Sequence, residues 1–247
     1  VNDSTSATSP DWPTRWPKDS FKSVWTWLIA ALLLLLVFLG ALAQLKQGPA
    51  PRISPIVLDL GIGAQLVVEL LIAVGVLAAL PALSKFSLRE LGFRVPSAAN
   101  VGTALLGAIA MVVVANGGAS LIDYLLHSQH KQDIVQIFQE LHDPTTIVIF
   151  AAFAVIFAPF AEETFFRVFF FNLGLRYGGF WGGAVLSGVL FGIAHGDMYA
   201  ALPLALGGIV LCAVYYRTRN AWASMISHAL FNSLSIVALL FVPKVTQ

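Results

Sequence analysis

The chain has 247 residues, 58% of them apolar and only 11% charged, with 14 Lys and Arg against 13 Asp and Glu for a net charge of +1. That composition excludes an ordinary soluble domain, in which charged residues make up about a quarter of the chain. It also gives no reason to expect nucleic acid as a partner, because the cations are scattered at the ends of apolar segments instead of forming one patch.

Residues 1–22 contain Pro10, Pro13 and Pro17, several Ser and Thr, and Trp12 and Trp16. This is the composition of a disordered or interfacial polar tail. Residues 23–247 read as one membrane-embedded helical domain. Its first apolar run, Val24 to Ala43, has about twenty residues, the length of a bilayer crossing and not of the short core of a cleaved signal. Further spans are expected at about Ile56 to Leu83 and Ala98 to Leu126. The segment His127 to Asp143 is polar but carries Ile134, Ile137, Phe138 and Leu141 at helical spacing. It is expected to be an amphipathic helix at the interface, or a loop helix packed on the bundle. A fourth span begins after Pro144 and runs towards Tyr177. Three more follow at about Phe180 to His195, Ala200 to Tyr216 and Trp222 to Val242. The expected fold is therefore an all-α polytopic bundle of about seven spans. The single cysteine, Cys212, lies in an apolar run, so no internal disulfide and no cysteine metal cluster is expected.

Loop charges orient the bundle. On alternate sides of seven spans, Arg15, Lys18, Lys22, Lys85, Arg89, Arg94, Arg176, Arg217 and Arg219 fall on the side of the tail, and Lys46, Arg52, Lys131 and Lys244 fall opposite. The bias predicts a cytoplasmic amino terminus.

The fourth span holds Glu162, Glu163 and Arg167 inside the apolar stretch Phe153 to Phe171. Charges at membrane depth are costly and mark a site by default, although a structural charge cluster tying two helices together fits the spacing equally well. Glu163 and Arg167 stand at i and i+4 in the favourable order for an ion pair. Glu162 points about 100° away, with no partner in its own helix, and a desolvated, unpaired carboxylate is a candidate general base. Phe191 and His195 are again i and i+4, beside a ridge of Ala184, Gly188, Gly192 and Gly196 that admits a close helix neighbour. His228 and Asn232 repeat the spacing on the last span, where they can share one developing oxyanion or form an interhelical hydrogen-bond pair.

Taken in order, Glu162-Glu163-Thr164-Phe165-Phe166-Arg167, Phe191-Gly192-Ile193-Ala194-His195 and His228-Ala229-Leu230-Phe231-Asn232 resemble the motifs of the CPBP family of intramembrane glutamic proteases. That family includes CAAX prenyl endopeptidases and bacteriocin-processing or bacteriocin-immunity proteins. The resembling core covers about residues 145–242. Ser87-Leu88-Arg89-Glu90-Leu91-Gly92-Phe93 is similar to a short upstream segment of many members. Physically it is a capping-box pattern opening a short helix that Gly92 can end. The resemblance implies a bacterial cell-membrane endopeptidase without a cofactor, acting on membrane-associated or lipidated protein substrates. In it Glu162 and His195 activate a water, and His228 and Asn232 stabilise the tetrahedral oxyanion. Glu163 and Arg167 tune Glu162, and Phe191 shapes the cavity.

Other chemistries remain beside that one. Glu162, His195 and His228 form a valid ligand set for catalytic Zn²⁺. His-Glu-x-x-His is absent. Gly118-Ala119-Ser120 is similar to part of a rhomboid serine motif, but Leu121 stands where Gly belongs. A transporter would use the buried acids and histidines as a proton or cation relay, with mid-span Glu69 and more terminal Asp59 joining the path, although the two halves show no inverted repeat. A non-proteolytic scaffold or immunity protein is the third class. Against it, all four proposed catalytic positions are intact.

Overall fold

A computed structural model describes residues 16–45, 55–127, 138 and 143–241, and the regular structure among them is helical. The helices are α1 (Val24–Leu45), α2 (Pro55–Ser84), α3 (Ala98–Leu126), α4 (Pro144–Ala152), α5 (Ala158–Glu163), α6 (Asn172–Ala194), α7 (Met198–Thr218) and α8 (Ala221–Phe241). Two π-helical stretches, Phe153–Phe157 and Thr164–Phe171, join α4, α5 and α6 into one winding run.

Among the described residues, five stretches are long and apolar enough to cross a bilayer: Gly63–Ser84, Ala98–Leu125, Pro144–Ala194, Tyr199–Thr218 and Ala221–Phe241, with a shorter apolar helix over Val24–Gly40. The run Pro144–Ala194 has 51 residues, more than twice the length a crossing needs. Gly179 breaks it. At φ 65° and ψ −167° its backbone leaves the helix in a conformation that a side chain would strain. Beyond it the chain doubles back, so that a Cβ on Gly183 would stand 2.6 Å from the Phe171 carbonyl. Further from the turn, the Ser187 hydroxyl donates to the Phe166 carbonyl at 2.8 Å, and the Phe166 and Phe191 rings meet at 5.3 Å. The run is thus a hairpin whose arms are the expected fourth and fifth spans. With α1 and the other four stretches this recovers the expected seven helices.

The outward faces of α1 to α3 expose Leu32, Leu35, Val68, Leu71, Leu106 and Val113, an apolar surface that a bilayer covers and water does not. The fold is that of an integral membrane protein.

Residues 1–15 of the tail lie outside the described residues. Trp16 to Lys22 form a docked turn, in which the Phe21 N–H donates to the Leu83 carbonyl at 2.7 Å and the Ser20 hydroxyl donates to the Ser84 carbonyl at 2.6 Å. Phe21 is fully buried and Trp16 packs on Phe86. The expected amphipathic helix also falls outside the described residues, apart from His127, Phe138 and Asp143. Phe138 is buried against Phe150.

Between α2 and α3 the capping-box pattern forms a single turn, shorter than the helix expected of it. The Ser87 N–H reaches Glu90 at 2.8 Å and the Glu90 N–H reaches the Ser87 hydroxyl at 3.3 Å. Hydrogen bonds from the Ser87 hydroxyl and N–H hold the Glu90 carboxyl below its ordinary range. The turn stops after one cycle because Gly92, at φ 103°, closes it: Gly92 N–H bonds to the Arg89 carbonyl and Phe93 N–H to the Leu88 carbonyl. The closed turn clamps the entrance of α8. Ala221 N–H bonds to the Gly92 carbonyl at 3.0 Å, and Asn220 donates to the Arg94 carbonyl at 2.8 Å.

Candidate active site

The small-residue ridge of α6 sets the depth at which its neighbour packs. A Cβ at Gly188 would stand 2.7 Å from the Ala205 carbonyl, and one at Gly192 would overlap the Ala201 carbonyl. The backbones of α6 and α7 therefore lie against each other, as the recurrence of small residues predicts. This contact fixes His195, the cap residue at the end of α6. Its Nδ1 is 2.8 Å from the Phe191 carbonyl. A carbonyl can only accept, so Nδ1 carries the proton and the Nε2 lone pair is left for another partner.

Around the two glutamates the helix widens, which periodicity does not reveal. Proline explains the first π-helical stretch. Ala158 N–H bonds to the Phe153 carbonyl, and the next residue in line, Pro159, has no N–H to give to the Ala154 carbonyl. That carbonyl would be orphaned in an apolar setting, where an unsatisfied group costs several kcal/mol. Asn232 supplies the donor, with Nδ2 at 2.7 Å from the Ala154 oxygen. One amide proton of Asn232 is thereby used, and the second remains.

Glu163 is fully buried and has a partner at each oxygen, an ion pair at one and a hydrogen bond at the other. Its Oε2 lies 3.3 Å from Arg167 Nε and its Oε1 lies 3.0 Å from His228 Nδ1. Arg167, also fully buried, reaches the Gly208 carbonyl of α7 at 3.4 Å and stands 4.4 Å over the Phe191 ring. Phe191 packs against His195 at 4.7 Å and His228 at 5.5 Å, so one ring spaces the guanidinium and both imidazoles. Glu162 faces the other way. Its Oε2 is 3.7 Å from His228 Nε2, and its side chain keeps 21% of its surface open. His228 thus bridges the two adjacent acids, a link that neither i to i+4 spacing contains.

Glu162, Phe191, His195, His228 and Asn232 line one cavity of about 60 Å³, enough for a few water molecules. Glu163 and Arg167 stand behind its wall. The sequence reading missed Met111 and Ala115 from α3, Pro203, Leu204 and Gly207 from α7, and Phe231, which complete the lining. They are apolar residues in apolar helices and carry no distinguishing signal. Among the described residues no three His, Cys, Asp or Glu side chains are grouped to hold a metal ion. Ser120 does not line the cavity, and the side chain of Asp59 lies outside the described residues.

Residues 144–234 match the model of the type II CAAX prenyl endopeptidase Rce1-like family. A protein of Bacillus subtilis (strain 168) named "Putative membrane peptidase YdiL" is 27% identical over 146 residues, covering 56% of this chain and 57% of the relative. The aligned chain thus spans little more than half the length of that relative. No solved structure matches. The family match covers the two arms of the hairpin, α7 and the part of α8 that holds His228 and Asn232, and it bears out the resemblance seen in the three motifs.

Proposed function

We propose that the chain is an intramembrane endopeptidase that hydrolyses peptide bonds of membrane-anchored or lipidated proteins by a water activated between Glu162 and His195. The family match supports a membrane protease of the CAAX type in general. The finer reading rests on one observation: a carboxylate, two imidazoles and a carboxamide from three helices share a single water-sized cavity.

In this mechanism Glu162 takes a proton from the water while the lone pair on His195 Nε2 orients it. The hydroxide oxygen bonds to the carbonyl carbon, and the carbonyl π electrons move onto oxygen. The second Nδ2 proton of Asn232 donates to that oxyanion. His228 can donate from Nε2 only when its ring carries both protons, and Glu163, at 3.0 Å from Nδ1, is the counter-charge for that form. When the oxyanion collapses, the C–N bond breaks and the proton held by Glu162 passes to the leaving nitrogen. Arg167 anchors Glu163 and takes no part in the proton path. The deciding experiment compares cleaved membrane peptides by mass spectrometry from cells carrying the intact chain and cells carrying Glu162→Ala. Fragments present only with the intact chain support the reading, and identical peptide sets refute it.

Two further parts of the reading have their own tests. With Glu162 as base and no metal, exhaustive chelation is expected to leave cleavage intact, with well under one equivalent of metal in the purified protein. Activity lost on chelation and restored by Zn²⁺ would instead make Glu162, His195 and His228 ligands. The charge bias of the loops predicts that a reporter fused before Val24 is cytoplasmic and one fused between His127 and Asp143 is not. Finding both on one face would reject the seven-span topology.

A further inference from the structure

The turn that clamps the entrance of α8 also walls a groove at that end of the bundle. Arg89, Phe93, Arg94, Val95 and Trp222 line an open depression of about 510 Å³, and none of them borders the cavity that holds Glu162. Its apolar side is fixed from behind. The Phe93 ring meets Trp222 edge-on at 6.1 Å, and Trp222 stacks on Phe160 at 6.1 Å. The backbones of the two arginines are held as well, because the Arg89 carbonyl accepts from the Gly92 N–H at 3.2 Å and the Arg94 carbonyl accepts from Asn220 at 2.8 Å. Both arginines are exposed, and neither guanidinium has a partner among the described residues. No carboxylate among the described residues lines the groove. The acids at this end, Asp19 and Glu90, stand outside it, and Glu90 is engaged by the N–H and hydroxyl of Ser87.

Position decides what such a groove meets. Trp222 is the second residue of the apolar stretch Ala221–Phe241, and Val95 stands three residues before α3 begins at Ala98. Both therefore lie where the hydrocarbon of a bilayer gives way to its headgroups, the depth that tryptophan favours. Trp222 keeps 39% of its surface open and Val95 92%, so the apolar side of the groove faces outward. Lys85, Arg217 and Arg219 share this end of the bundle, whereas Asp123, Asp143 and Asp197 lie at helix ends on the opposite side. We propose that the groove is a binding site for one anionic phospholipid of the surrounding membrane. Its phosphate diester is held by Arg89 and Arg94, and its glycerol and first methylenes rest on Phe93, Val95 and Trp222. A guanidinium presents paired N–H donors that match phosphate oxygens. A headgroup whose only charge is the phosphate answers two uncompensated cations, whereas a choline or ethanolamine would bring a third cation into the groove. The site stands apart from the proteolytic reading and does not depend on it.

Native mass spectrometry of the whole chain released from detergent micelles counts the lipids it retains. The probes are dioleoyl phosphatidylglycerol, phosphatidylcholine with the same acyl chains, and inorganic phosphate. The intact chain is expected to hold one phosphatidylglycerol about 25-fold more tightly than phosphatidylcholine, about five-fold for each arginine near the membrane surface. An Arg89→Gln, Arg94→Gln double variant should lose that preference. Its melting temperature should match that of the intact chain, since neither side chain has a partner among the described residues. Val95→Asp, a change at an exposed position, sets a carboxylate on the groove and should lower the preference about five-fold. Lys85→Gln with Arg217→Gln removes two charges from the same end but outside the groove, and should leave the preference unchanged. Equal retention of the two lipids by the intact chain overturns the proposal. So does an equal loss in the Lys85 and Arg217 pair, because the preference would then belong to surface charge in general. Displacement of phosphatidylglycerol by inorganic phosphate at matched concentration would make the ligand a free phosphate and overturn the lipid assignment.

Discussion

Glu162→Gln is expected to lower hydrolysis by at least about 10²-fold, the contribution of a general base, while the protein inserts and folds as the intact chain does. The amide has nearly the shape of the carboxylate but cannot take a proton from water. Little structure depends on the charge, because Glu162 makes no short hydrogen bond and its contact with His228 is 3.7 Å long. Its side chain is also the open one of the pair, facing the cavity. The loss should fall on kcat with KM nearly unchanged, since the base acts on the transition state more than on bound substrate. Rates are to be compared at equal amounts of folded protein in detergent, checked by thermal shift. If Glu162→Gln cleaves at the intact rate and Glu163→Gln is well folded but inactive, the roles of the two acids are reversed.

How much of this site could be read from the sequence differs from residue to residue. Intramembrane charge is rare enough that Glu162, Glu163 and Arg167 stand out, and i to i+4 spacing suffices to pair Glu163 with Arg167, because both lie on one helix. The seven helices follow from apolar run lengths and from Gly178-Gly179, where the run Pro144–Ala194 turns back. The bridge from Glu163 to His228 spans 65 residues of sequence and is a property of how α8 packs, so no local pattern carries it. Asn232 shows the difference most clearly. Read as a motif member it is an oxyanion donor; its contact with the Ala154 carbonyl arises because Pro159 withholds an N–H three helices away. The π-helical stretch Thr164–Phe171 was equally illegible, since the same residues suit an α-helix and nothing in their order marks a wider turn.

Glu163→Gln is expected to cost stability rather than chemistry, and the reason is the loss of a buried counter-charge. The carboxylate is ion-paired with Arg167 through one oxygen, at 3.3 Å, and accepts from His228 Nδ1 at the other. A carboxamide carries no charge and has a single acceptor oxygen, so the Arg167 guanidinium is left buried without its counter-charge, and an NH₂ turned towards His228 would strand the imidazole N–H as well. Breaking a buried charged pair in this way costs about 3–5 kcal/mol. For a chain of this size that lowers the melting temperature in detergent by on the order of 10 °C. Arg167 is the more exacting of the two partners, because it is fully buried and its one hydrogen bond, to the Gly208 carbonyl, is long at 3.4 Å. A Glu163→Leu, Arg167→Met double variant removes both charges together and is expected to melt above either single variant, with a coupling of more than about 1 kcal/mol between the positions. Additive losses would mean that the ion pair contributes nothing beyond its separate parts. Whatever activity survives in folded Glu163→Gln should show the weaker oxyanion support expected when His228 loses its counter-charge, a fall in kcat smaller than that of Glu162→Gln. An equal fall at unchanged melting temperature would place Glu163 among the reacting groups and not behind them.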